Sequence, residues 1–248
     1  MRRAGVFLAA GFGVYLLILL ANFPAAKLTG YLQQQYAPLA FHSVTGSVFS
    51  GSAARIEHDA LVAGPVSWTF RPSGLLQGRL EYHLQGNAMQ SPFSGNVAIG
   101  MDGSIHARDV EVRLDPAGLV ELYSPIDFTV TGRIAVRVES LELRDGFPSQ
   151  LTGHLGWTGA GVINPVSIDL GEVAILLGSE PDHITGEVSN TGDARVAGSL
   201  SLSASRDYSV DLQLTPGRAT SAEVVEFLEL WGRPGPGGSY RLVDNGRL

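Results

Sequence analysis

The side chains able to do chemistry in this 248-residue chain are few and scattered. There is no cysteine, which excludes thiol nucleophiles, disulfides, thiolate metal sites and a lipid-modified cysteine. Six histidines, His42, His58, His83, His106, His154 and His183, are never closer than 16 residues. No H-x-x-x-H or H-x-H pair is therefore available to hold a metal from one helix or strand. His58 and Asp59 are neighbours, but successive residues of a strand point to opposite faces and do not share a site. A serine on a strand-to-helix elbow would carry G-x-S-x-G, which is absent. Gly11-x-Gly13 and Gly159-x-Gly161 lack the third glycine of a dinucleotide fingerprint. A periplasmic glycan hydrolase would need two convergent carboxylates that no local pattern locates. No catalytic, cofactor-binding or metal-binding residue is assigned, no cofactor is expected, and the chain reads as a non-enzyme.

Charge narrows the partners. Arg2 and Arg3 account for two of the 17 basic residues, leaving 15 against 24 acidic ones in the rest of the chain. So acidic a domain repels phosphate backbones, and nucleic acid is not expected as a partner.

The elements that would position any site begin with an apolar run. Ala4 to Ala21 are 18 residues without charge, including Val6, Phe7, Leu8, Phe12 and Leu16-Leu17-Ile18-Leu19-Leu20. As a helix they reach about 27 Å, close to the hydrocarbon thickness of a bilayer. Arg2 and Arg3 predict a cytoplasmic N-terminus and a translocated remainder. A cleaved signal peptide would need small residues at −3 and −1 of the cut. A cut after Ala26 puts Pro24 at −3, and one after Phe23 puts an aromatic ring at −1. The expected organisation is a cytoplasmic stub and anchor (1–26), a juxtamembrane helix (27–40) and a β-rich domain (41–248). In the helix, Leu28, Tyr31, Leu32 and Tyr36 form a stripe expected at the membrane interface, with Gln33-Gln34-Gln35 in water.

From Phe41 the apolar period is two, which predicts strands with one buried face. Trp68 and Phe70 alternate until Arg71-Pro72; Leu80, Tyr82 and Leu84 follow, and Asp102-Gly103 marks a hairpin. The apolar set shifts by one residue near Glu139-Ser140 and again at Gly171, which predicts bulges. Another hairpin is expected around Ser205-Arg206-Asp207. A helix is expected after Thr220, with Thr220 and Glu223 as a capping box. Val224, Val225, Leu228 and Trp231 form its apolar stripe, and Gly232 and Pro234 its stop. Trp68, Trp157 and Trp231 are expected in the core. The fold class is mainly β: a single N-terminal transmembrane helix, then one large, mostly antiparallel sheet with one short C-terminal helix. Sandwich, partial barrel and curled trough all remain open.

Four stretches in order carry a resemblance over the whole length. They are Val44-Thr45-Gly46-Ser47-Val48-Phe49-Ser50-Gly51-Ser52-Ala53; Trp68 with Pro72, Leu75-Leu76 and Gly78-Arg79-Leu80; Gly153-His154-Leu155-Gly156-Trp157; and Leu230-Trp231-Gly232-Arg233-Pro234 with Gly238, Tyr240, Leu242, Gly246 and Leu248. The chain resembles the type II secretion system protein N family, with Ser47 and Phe49 departing from the family's G-T-x-W-x-G-x-A. The resemblance implies a non-enzymatic inner-membrane component of the machine that exports folded proteins across the outer membrane of a Gram-negative bacterium. Its implied partners are other type II secretion components, contacted in the periplasm. A second expectation comes from the strands alone: a membrane-anchored carrier of an apolar ligand such as a lipid. Its trough would be lined by Ile134, Val136, Val138, Val166, Ile168, Val210 and Leu212.

Overall fold

Alternation with a period of two produces strands from Ala40 onward. The computed structural model describes residues 22–35, 39–58, 61–88, 91–117, 129–144, 146–164, 166–180, 182–218 and 220–247. Residues 1–21 of the predicted stub and anchor, and Tyr36 of the juxtamembrane stripe, lie outside the described residues. Among those residues no helix is long and apolar enough to cross a membrane. The protein is mainly β, with fourteen antiparallel strands described, and it divides into two units, 1–94 and 95–248.

In the first unit a helix, α1 (Ala25–Gln35), precedes β1 (Ala40–Gly46), β2 (Ser50–His58), β3 (Leu61–Arg71) and β4 (Arg79–Ala88). The strands pair in chain order, with Phe41 opposite Ile56 and Trp68 opposite Leu84. A helix stands at Ala25–Gln35, overlapping the stretch 27–40 where one was expected, and it is pinned to the sheet. Ala25 and Thr29 are buried, Pro24 bridges to Ser47, and the Val48 N–H donates to the Phe23 carbonyl at 3.0 Å. Tyr31, by contrast, is 58% exposed.

β5 (Ser91–Gly100) crosses the division. The second unit continues with β6 (Ile105–Leu114), β7 (Thr129–Arg144), β8 (Phe147–Asn164), β9 (Ile168–Glu180), β10 (His183–Asn190), β11 (Arg195–Ser203) and β12 (Asp207–Thr215). After these come a helix, α2 (Ala222–Trp231), the two-residue β13 (Arg233–Pro234) and β14 (Tyr240–Arg247). From β6 the strands pair in chain order to β12, which pairs with β14. Both expected slips occur. Val138 pairs with Gly153 and Ser140 with Thr152, leaving Glu139 as the extra residue. Near Gly171 (φ 65°) there are two irregularities: β8 carries one extra residue between Trp157 (opposite Val173) and Ala160 (opposite Gly171), and β9 carries one, Leu170, before Asp169 pairs with Gly161.

α2 begins one residue later than its sequence signal. Ser221, with extended backbone, is the N-cap, and its side chain accepts from the Val224 N–H. Thr220 instead accepts from the Gly217 N–H at 2.8 Å and donates to Asp193. The capping box is therefore corrected: one hydrogen bond to Asp193 in the β10–β11 turn and one from the nearby Gly217 N–H claim the threonine, and the serine beside it serves the helix. Val224 and Leu228 pack against Leu214 and Tyr240, with Val166, Ile168 and Leu212 around them. Trp231 is also corrected, since it is 59% exposed and lies against Phe227 at 6.1 Å between ring centroids. The helix stops where the Gly232 N–H bonds to the Leu228 carbonyl at 2.7 Å.

Candidate functional site

The nearest approach to a nucleophilic arrangement is the β5–β6 hairpin, where the Asp102-Gly103 turn brings Ser104 and His106 together. Ser104, 5% exposed, donates from Oγ to Asp102 Oδ1 at 2.5 Å, and its backbone N–H donates to the same oxygen at 3.1 Å. His106 Nε2 lies 2.9 Å from Ser104 Oγ, and Nδ1 lies 3.7 Å from Glu142 Oε2. Arg144 Nε bonds the other oxygen of Glu142. A hydroxyl has one proton, and Asp102 takes it at the shorter distance. The network therefore assigns a hydrogen to His106 Nε2, which donates to the serine oxygen. An imidazole in that state does not accept the serine proton, so the group clasps a turn rather than arming a nucleophile.

That clasp has a pH consequence. The Ser104 hydroxyl, then its backbone N–H, hold the Asp102 carboxyl below its ordinary value. A depressed carboxyl contributes stability that is present above the unfolded value of about 4 and is lost as pH falls through the folded one. Ser104→Ala should move the Asp102 titration back up, as read by NMR of the carboxyl carbon. An unmoved titration would mean that the hydroxyl does not hold this carboxylate.

The other polar groups stay apart. His42 Nε2 is 3.6 Å from Glu57, and His154 Nδ1 is 3.3 Å from Glu139. Among the described residues no group of three histidines or carboxylates could hold a metal ion. Trp68 and Trp157 are half-buried, each with its indole N–H on a backbone carbonyl, of Ser47 at 3.1 Å and Thr131 at 2.8 Å. No single-strand pattern announces these contacts.

The most extensive feature is apolar. Cross-strand partners share a face, so the register reads out rows that the linear sequence hides. One row runs Val136, Leu155, Ile175, Val188, Gly198 and Leu212. The next runs Val138, Gly153, Leu177, Gly186, Leu200 and Val210. Ile134 lies beside Trp157 and Val173 in a third. Of the seven expected trough residues, five thus share one face, and one of these, Leu212, packs at the α2 core together with Val166 and Ile168. α2 is seated on the β12–β14 end, and among the described residues no other helix packs on the rows. The large side chains in these rows are nevertheless half-buried or buried. An open cavity of about 290 Å³ lies there, lined by Leu177, Ile184, Gly186, Leu200, Leu202 and Val210 together with Thr185, Ser201, Tyr208 and Ser209. At its β14 side Tyr208 donates to Asp244 at 3.0 Å, a bond that raises the tyrosine pKa. The opposite face is polar, with Arg137 beside Glu111 and Arg241 bonded to Asp211.

Comparison with known proteins places these units in context. Residues 37–243 match the model of the family described as Type II secretion system (T2SS), protein N. A protein named Type II secretion system protein N from Aeromonas hydrophila is 24% identical over 250 residues, covering 99% of this chain and 97% of its own. A protein of the same name from Vibrio cholerae serotype O1 is 24% identical over 212 residues, 83% of each chain. No solved structure matches.

Proposed function

The chain belongs to the type II secretion system protein N family, and from that premise we propose a non-enzymatic subunit that assembles with other components of the secretion machine. The observation that carries this reading is the family match across residues 37–243, which takes in strands of both units. In this reading residues 4–21 are a single-pass anchor in the inner membrane, with Arg2 and Arg3 cytoplasmic. The β-rich domain, residues 41–248, then stands in the periplasm and helps export folded proteins through protein–protein contacts. α2 offers one such surface, since Leu230 and Trp231 are exposed beside Glu223, Glu226 and Glu229. Deleting the gene should leave exported enzymes in the periplasm, measured as their loss from the medium. Unaltered secretion, with the other subunits at normal levels, would overturn the proposal.

One observation favours a second reading, a membrane-anchored domain that binds or transfers an apolar ligand. The rows of the second unit carry hydrocarbon side chains across strand after strand, and α2 covers only their far end. Mass spectrometry of the purified full-length chain should find a co-purifying lipid, and a lipid-free protein would count against it.

A further inference from the structure

We propose that the apolar face of the second unit seats one acyl chain of a membrane phospholipid, across Leu177, Gly186, Leu200 and Val210. This inference rests on the apolar-ligand reading and adds the place, the occupant and its width.

The lining fixes the chemistry. Between Val138 and Val210 every position of the row is hydrocarbon or glycine, and so is every position of its neighbour from Val136 to Leu212. A ligand group bearing donors or acceptors would find no partner among these side chains, at the full cost of desolvation. The polar pair Tyr208–Asp244 marks where the apolar row ends.

Burial fixes the width. The side chains of these rows are half-buried although no second sheet is stacked on them among the described residues. The open cavity of about 290 Å³ at Leu177, Gly186, Leu200 and Val210 makes this part of the face a slot rather than a flat patch. A second copy would need about 800 Å² from each partner. Side chains already half hidden do not offer that area, and none of the large exposed hydrophobics of this unit belongs to either row. Two copies, each of net charge −7, would also repel. Gly186 supplies the slot's floor: a Cβ there would lie 3.2 Å from Ile175 Cγ2 and 3.6 Å from the Leu200 side chain.

Length agrees with the same occupant. From Leu177 on β9 to Val210 on β12 the seat crosses three strand spacings of about 4.8 Å, roughly 14 Å in all. An acyl chain spans one leaflet, half of a hydrocarbon core about 30 Å thick.

The test uses the full-length chain in phosphatidylethanolamine vesicles doped with a phosphatidylethanolamine that carries a diazirine on one acyl chain. After irradiation and digestion, crosslinks should fall on peptides containing Leu177, Leu200 and Val210. Gly186→Leu should reduce them several-fold. Leu176→Asp, at a position 60% exposed on the other face, should leave them unchanged. The crosslink map of the unsubstituted protein decides the matter even where Gly186→Leu fails to fold. Labels confined to residues 1–35, labels on the polar face, or crosslinks between two copies through these rows would overturn the site. A lipid that co-purifies while the crosslinks map elsewhere would sink this seat and leave the broader apolar-ligand reading standing.

Discussion

Val224→Asp should unfold the α2 end of the second unit and lower the stability of the whole chain by about 4 kcal/mol or more. Val224 is 1% exposed and packs with Leu214, Leu228 and Tyr240 in a cluster of buried residues. The substitution loses the transfer energy of a buried valine, about 1.5–3 kcal/mol. It also places a carboxyl where the cluster offers one hydroxyl, that of Tyr240, which already donates to Glu229 at 3.3 Å. The buried acid must either stay charged without a partner or take up a proton, and each choice costs folding energy. Leu230→Asp on the same helix is the control. At 80% exposure it should change stability by no more than about 0.5 kcal/mol. Urea unfolding of both variants measures the difference, and equal losses would show that α2 is not docked through Val224.

What could be read from the chain alone depended on how local its cause was. The slip at Glu139 was legible because apolar residues sit on even numbers up to Val138 and on odd ones at Leu141 and Leu143. The structure leaves Glu139 unpaired in the register for that reason. The Asp102-Gly103 turn was legible too, as a dipeptide whose glycine takes φ 82°. The N-cap was misplaced by one residue, because Thr220 and Ser221 are equivalent capping chemistry. The decision between them lies with Asp193, 27 residues upstream, which receives the threonine hydroxyl. Trp231 was misassigned for a similar reason. The helical period puts it on the stripe of Val224 and Leu228, but the sheet that covers those two does not extend beneath it.

The candidate site was only half legible. Alternation marks which residues of one strand share a face, so Val136 with Val138 and Val210 with Leu212 were found together. Which strands meet, and in what register, is a long-range property. Leu177 opposite Gly186, and Gly186 opposite Leu200, follow from pairing across three strands. The Ser104–His106–Glu142 clasp escaped for the same reason, since Glu142 arrives from the next strand.

Gly51→Ala is the second change expected to have a large effect, and it probes the first of the four stretches that carry the family resemblance. Gly51 lies opposite both Gly46 and Trp68. A Cβ built there would stand 2.5 Å from the Thr45 carbonyl oxygen and 2.6 Å from the Trp68 ring. The ring is not free to move aside, because its N–H is bonded to the Ser47 carbonyl, within the turn that Gly46 enters at φ 84°. One methyl group must therefore displace either backbone or an anchored indole, at about 1–3 kcal/mol. Trp68→Leu separates the two obstacles. In that background Gly51→Ala should cost less by the part owed to the ring, a coupling of about 0.5–3 kcal/mol between contacting residues. The remaining cost belongs to the Thr45 oxygen. Urea unfolding of the parent, both single variants and the double variant measures the coupling. If Gly51→Ala is equally costly with and without the indole, the backbone of β1 alone demands glycine at position 51. In that case the tryptophan of the second stretch is independent of the glycine of the first.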